Sequence, residues 1–169
     1  MSSQPEPWLR GTHIGTDAVY AHVLYTFKQV MEELNLHAPD LSGDETWMRP
    51  FGLGSLGFHI RHIQGSIDRL LTYAEGKPLA EEQLAQLKRE HQAGGAAKEL
   101  IRELDGFLEN ARVRVLAIPE AELNDKRVVG RLKLPTTAKG LLIHISEHTQ
   151  RHLGQAVLTA KLVRELRNT

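Results

Sequence analysis

The chain has 169 residues, a length that suits one domain with a real hydrophobic core. Its charges balance, 21 Lys and Arg against 21 Asp and Glu, and no segment is strongly basic, which argues against nucleic acid or an anionic membrane as partner. Cysteine is absent, which excludes disulfides, thiolate nucleophiles and Cys-based zinc sites and leaves nine histidines, with Asp and Glu, as the strong metal ligands. No apolar run reaches about 18 residues and no signal-peptide pattern opens the chain, so a cytoplasmic protein without a membrane span is expected.

Residues 1–15 carry Pro5, Pro7, Gly11 and Gly15 around a single Trp8, the composition of an extended arm with one aromatic anchor. Thr16 is the expected N-cap of a first helix, in which Val19, Val23, Phe27, Val30 and Leu34 recur at spacings of three and four as far as about Leu36. His22 lies beside that stripe and reads as solvent-bonded, while His13 and His37 fall near the helix ends without an assigned role. His37 to Gly54 is punctuated by Pro39, Gly43, Pro50, Gly52 and Gly54, and is read as a long loop. Ser55 then caps a second helix with the stripe Leu56, Ile60, Ile63, Ile67, Leu70, Leu71 and Ala74, ending at Gly76 and Pro78. At about 100° per residue, His59 sits about 60° from Leu56 and His62 about 120° away on the same side, so either can serve a site between helices.

Leu79 to His91 has Leu84 and Leu87 among Glu, Gln and Lys, the pattern of a short peripheral helix with a solvated charged face, stopped by Gly94 and Gly95. A third helix follows from Ala97 to Val115, with a regular apolar stripe and Pro119 as its stop. Arg127 to Leu134 alternates around Gly130, as a brief extended or hairpin segment does, before Thr136 or Thr137 caps the last helix. Four long amphipathic helices with one long connection describe an all-α fold, a four-helix bundle with a crossover and a short peripheral helix, as one domain over residues 1–169.

The last helix carries the chemistry. In KGLLIHISEHTQRHLGQAVLTAKLV (Lys139 to Val163), with Leu141 as zero, His148 and His152 fall within about 20° of the apolar stripe and His144 about 60° to one side. Two imidazoles on an apolar face are costly to bury unless ligated or hydrogen-bonded, and a divalent ion held by neutral ring nitrogens meets that need.

The runs SLGFHIRHIQGSIDRLL (Ser55 to Leu71) and EHTQRHLGQ (Glu147 to Gln155) resemble the DinB-like family, also called the YfiT family of metal-dependent hydrolases. The likeness spans nearly the whole chain in order and spacing. It implies a four-helix bundle in which a His of the second helix and an HxxxH pair of the last one hold a divalent metal, with water in the open positions. Carried over position by position, it implies His62, His148 and His152 as ligands. The apolar stripe alone would place His59 nearer the core than His62, so His59 is a neighbouring group or substitute ligand, and His144 lies at the rim. Gln155, about 60° from His152 on the same face, is a candidate to orient water or ligand.

Three imidazoles plus open positions suit a catalytic site better than a closed structural one, with zinc expected first and nickel as the alternative. Relatives in the wider family include thiol-dependent S-transferases and a thiol-dependent isomerase, so the resemblance implies a metal-dependent transferase or hydrolase acting on a small molecule, with a low-molecular-weight thiol as a candidate partner. The absence of Cys means that any sulfur nucleophile comes with the substrate. No general base stands out: Asp68 and Glu147 read as ion-paired helix residues. His144 to His148 also spells HxxEH, the inverted metalloprotease pattern with Glu147 as base, but its α/β context is missing. The competing reading is a non-catalytic, metal-stabilised or stress-associated binding bundle, and a homodimer is expected from the resemblance.

Overall fold

The computed structural model describes residues 4–168, so the first three residues of the expected arm and the last residue of the expected domain lie outside it. The fold is predominantly helical, as expected. Its helices are α1 (Ala18–His37), α2 (Gly43–Trp47), α3 (Leu56–Ala74), α4 (Glu81–Arg89), α5 (Ala97–Ala117) and α6 (Ala138–Arg167). Strands β1 (Lys126–Val129) and β2 (Leu134–Thr137) form the anticipated hairpin, antiparallel with Lys126 opposite Thr137. None of the helices is long and apolar enough to cross a membrane.

The four long helices pack in a ring, with α3 and α1 each lying against both α6 and α5. The stripes read from the sequence meet at the centre: Val23, Val30, Leu34, Ile60, Ile63, Ile67, Leu104, Ala111, Ile145, Ala156 and Val163 are buried in one continuous core. Burial of each large aliphatic side chain stabilises the fold by about 1.5–3 kcal/mol, which offsets the entropy of ordering the chain. Tyr20 closes one end by donating its hydroxyl to the carbonyl of Ile118 at 2.8 Å.

The helix starts follow their caps. Ser55 Oγ accepts from Phe58 N at 3.1 Å and Thr137 Oγ1 from Gly140 N at 3.0 Å, so Thr137, not Thr136, begins α6. For α1 the cap is Asp17, one residue beyond the expected Thr16, because its carboxylate takes the N–H of Val19 at 2.8 Å. The expected long loop also contains α2, held by a capping box in which Glu45 N donates to Ser42 Oγ and Ser42 N to Glu45 Oε2. Ser-Gly-Asp-Glu is the S-x-x-E signature of such a start, and it was readable in the sequence.

The segment read as a solvated face is one, except at a single residue. Helix α4 itself buries nothing, but Glu90 immediately after it is only 2% exposed. Beyond it residues 91–95 are exposed but lie along α3, where Arg61 bonds the carbonyls of Gln92 and Gly94.

Candidate metal centre

Helices α3 and α6 make the most extensive interhelical contact of the fold, and the histidines lie between them. One ring nitrogen from each of His62, His148 and His152 falls within a group no wider than 4.8 Å. His62 Nε2 lies 2.9 Å from His148 Nε2, and the His62 and His152 rings are 4.3 Å apart between centroids. His148 and His152, one helical turn apart on α6, have ring centroids 4.6 Å apart. All three side chains are half-buried, between solvent and core.

Each partner outside the trio has a definite place. Glu90 Oε2 lies 2.7 Å from His62 Nδ1, and its other oxygen accepts from Arg69 Nη1 at 2.8 Å. His59, 5% exposed, brings Nδ1 to 3.1 Å from His152 Nδ1. Thus His59 abuts the cluster from the core side while His62 reaches its centre, although the apolar stripe alone favours His59. The two residues are three apart, about 60° around α3, so which of them faces His148 depends on where α6 crosses α3 and not on the stripe. Phe58 lies between two imidazoles, stacked on His91 at 4.0 Å and on His62 at 5.3 Å, and covers one flank of the cluster with an apolar ring.

Two glycines make room. A Cβ on Gly65 would come within 2.5 Å of Glu90 Oε1 and 2.7 Å of Arg69 Nη1, and one on Gly54 within 2.7 Å of His59 Nε2. The remaining candidates lie farther out. His144 is exposed, with its ring 5.4 Å from that of His148 and Nδ1 3.2 Å from Glu147 Oε2. Gln155 is exposed, and the contacts around the trio run through Glu90, His59 and Phe58 instead. Glu147 also pairs with Arg151, and Asp68 with Arg114, so both proposed ion-paired readings hold. His22 is exposed and His37 pairs with Glu33 at 3.4 Å.

Electrostatics favour neutral rings at His59, His148 and His152. Burial first, and then the neighbouring imidazole of His62, hold His59, His148 and His152 down to about 4. Their lone pairs are therefore free at neutral pH without loss of a proton, the state a divalent ion requires. Burial pushes the Glu90 carboxyl up, but hydrogen bonds from His62 and Arg69 outweigh it and leave the group below the ordinary carboxylate range.

A family model described as the DinB superfamily matches residues 19–156, most of the chain and all three histidines of the trio. The chain belongs to the DinB superfamily. No curated protein matches the sequence. A three-histidine cluster that gathers ring nitrogens between α3 and α6 fits a metal-binding member of this superfamily.

The donor set can be tested against a metal. Two nitrogens bound to one tetrahedral zinc at about 2.0 Å stand about 3.3 Å apart, so the 2.9 Å between His62 and His148 needs only a small ring rotation to admit an ion. The residues fit. By contrast, a groove of about 590 Å³ between the C-terminal end of α3 and the hairpin is lined by Tyr73, Lys77, Leu84, Arg127 and Lys133, among others, without a histidine or carboxylate. The residues that sequence reading missed are Glu90, Arg69, Phe58 and His91; an acidic residue at the end of a polar helix gives no periodic signal that it will turn inward.

Proposed function

We propose that this member of the DinB superfamily is a metal-dependent enzyme, folded as a single four-helix-bundle domain with a crossover, in which His62, His148 and His152 hold one divalent ion. Zinc is the first choice and nickel the alternative, since three nitrogens suit both. The observation that carries the reading is the convergence of three imidazole nitrogens from two helices within 4.8 Å. Among the described residues no carboxylate joins that set, so coordination positions are left for water and for a small-molecule substrate. A bound ion would supply Lewis acidity toward water or toward the sulfur of a low-molecular-weight thiol.

The chain's own residues then bind and orient. Phe58 shields one flank from water, His59 abuts the His152 ring from within, and the exposed His144 and Glu147 lie on the rim by which a substrate enters. Since the chain has no cysteine, a thiol-transfer reaction draws its sulfur from the substrate. Thiol-dependent transfer is the first activity to screen and hydrolysis the second.

The test is metal analysis by mass spectrometry on protein purified without an affinity tag, beside a His148→Ala, His152→Ala double variant checked for folding by circular dichroism. About one metal per wild-type chain and almost none in the variant supports the reading. Wild-type protein that takes up neither zinc nor nickel when both are offered overturns it, in favour of a His-lined binding module.

A further inference from the structure

The crossover does not merely pass the cluster; it is fastened there. Arg61 Nη1 donates to the carbonyl of Gln92 at 2.6 Å and Nη2 to that of Gly94 at 2.9 Å. Trp47, under the Arg61 guanidinium at 4.7 Å, donates its indole N–H to the carbonyl of Gly95 at 3.0 Å. His91 is stacked flat on Phe58, with only 7° between the rings. These contacts hold residues 91–95 against α3 and α2 and leave Glu90 with one place to go, the slot over Gly65.

A carboxylate buried to 2% exposure costs several kcal/mol unless it is paired. Arg69 supplies the opposite charge through Oε1, which leaves Oε2 as an acceptor facing His62 Nδ1. An ionised carboxylate has no hydrogen to give, so the hydrogen of this 2.7 Å contact sits on Nδ1. A neutral imidazole with Nδ1–H carries its lone pair on Nε2, and Nε2 is the nitrogen that faces His148.

We propose that Glu90, braced by Arg69, is a positioning residue that holds His62 as the Nδ1–H tautomer and turns its Nε2 lone pair into the cluster. The consequence for metal affinity rests on the metal-site reading above; the tautomer is a property of the metal-free protein and does not. The crossover is thereby part of the centre, because its fastening to α3 delivers the carboxylate. Free histidine prefers the other tautomer, with hydrogen on Nε2, so without Glu90 the lone pair would mostly point away from His148.

Long-range 1H–15N correlation spectra of metal-free protein labelled at histidine, at neutral pH, read the tautomer of each ring directly. Wild type should show His62 with a protonated Nδ1 and a bare Nε2. Glu90→Gln keeps the shape and removes the charge. It should shift His62 toward the Nε2–H form and weaken zinc binding about 10- to 100-fold, measured by competition with a chromophoric chelator. A thermal melt by circular dichroism checks that the variant is folded, which a purely structural role would not separate from the spectral change. Wild-type His62 carrying its hydrogen on Nε2 overturns the proposal, and so does a folded Glu90→Gln protein that keeps both tautomer and zinc affinity within twofold. Should that variant fail to fold, the wild-type spectrum alone decides. A wild type that binds no zinc yet shows Nδ1–H on His62, lost in Glu90→Gln, sinks the metal reading and leaves the role of Glu90 standing.

Discussion

Helix α3 carries two polar networks a turn or two apart, and they are built on opposite principles. Toward its C-terminal half, Asp68 and Glu75 both receive Arg114 of α5 at 2.6 Å, while Gln83 of α4 donates to Asp68 at 2.6 Å and to Thr72 at 2.9 Å. Charges there find opposite charges. In its N-terminal half, His62 faces His148 nitrogen to nitrogen, and His59 faces His152 in the same way. At such contacts one nitrogen can donate only if the other keeps its lone pair, and buried imidazoles held near 4 cannot gain a proton to relieve the shortage. A network closed on itself ties helices together; one with lone pairs to spare is a site for a cation. Both use an Arg to steady a carboxylate, but only Arg69 does so beside an imidazole.

The comparison can be broken at several points. The largest effect is expected for His62→Ala, which removes the only α3 nitrogen of the trio and should lower zinc affinity by 100-fold or more, read by chelator competition; it also takes the partner of Glu90 Oε2, so a loss of about 1–3 kcal/mol in stability of the metal-free protein accompanies it. Retained affinity would show that the cation site is elsewhere. Acid should come next. The folded forms of His59, His148 and His152 take up protons only near about 4, whereas the unfolded chain does so near the ordinary value of about 6.5. Between those values the unfolded state binds more protons, so stability is full above about pH 6.5 and falls progressively as the pH drops toward 4. Denaturant melts of metal-free protein across this window measure the loss, and His59→Asn should reduce it; a flat profile would contradict the neutral rings.

Gly65→Ala should cost up to about 2 kcal/mol. Its Cβ meets Glu90 and Arg69, a crowding penalty of about 1–3 kcal/mol against which a helix-propensity gain of about 1 kcal/mol is set. Arg114→Ala should cost about 1 kcal/mol, because Asp68 keeps Gln83, Glu75 keeps Lys77 and both keep some contact with water, and should leave zinc affinity unchanged. A drop in affinity there would couple two networks that the contacts keep apart. Gln155→Ala should alter neither stability nor metal affinity by more than experimental error, since the side chain is exposed and outside the cluster.

The parts of this molecule that could be read in advance are those in which the signal is local and periodic. The stripes of α1, α3, α5 and α6 and the i,i+4 pair His148 and His152 follow from a turn of 3.6 residues, which brings near neighbours in sequence onto one face, and the cap Ser55 is as local a signal, whereas the choice of Thr137 over Thr136 came from its bond to Gly140. The choice between His59 and His62 was not local either. It depends on where α6 crosses α3, and the answer gives both residues a place, His62 at the centre and His59 behind His152. Helix α2 was legible in its capping box but lay among turn residues that outweighed it.

What the sequence alone determined, then, is a cysteine-free helical chain of the DinB superfamily with His62, His148 and His152 on two of its long helices. What only the tertiary structure decided is the surrounding shell. Glu90 is 28 positions from His62 and 21 from Arg69, in a polar stretch that looks solvated, and its burial comes from the crossover being fastened to α3 over a glycine. Contacts of that range leave no period in the sequence, because they depend on the path of the chain between the elements, and that path is settled only when the whole core packs.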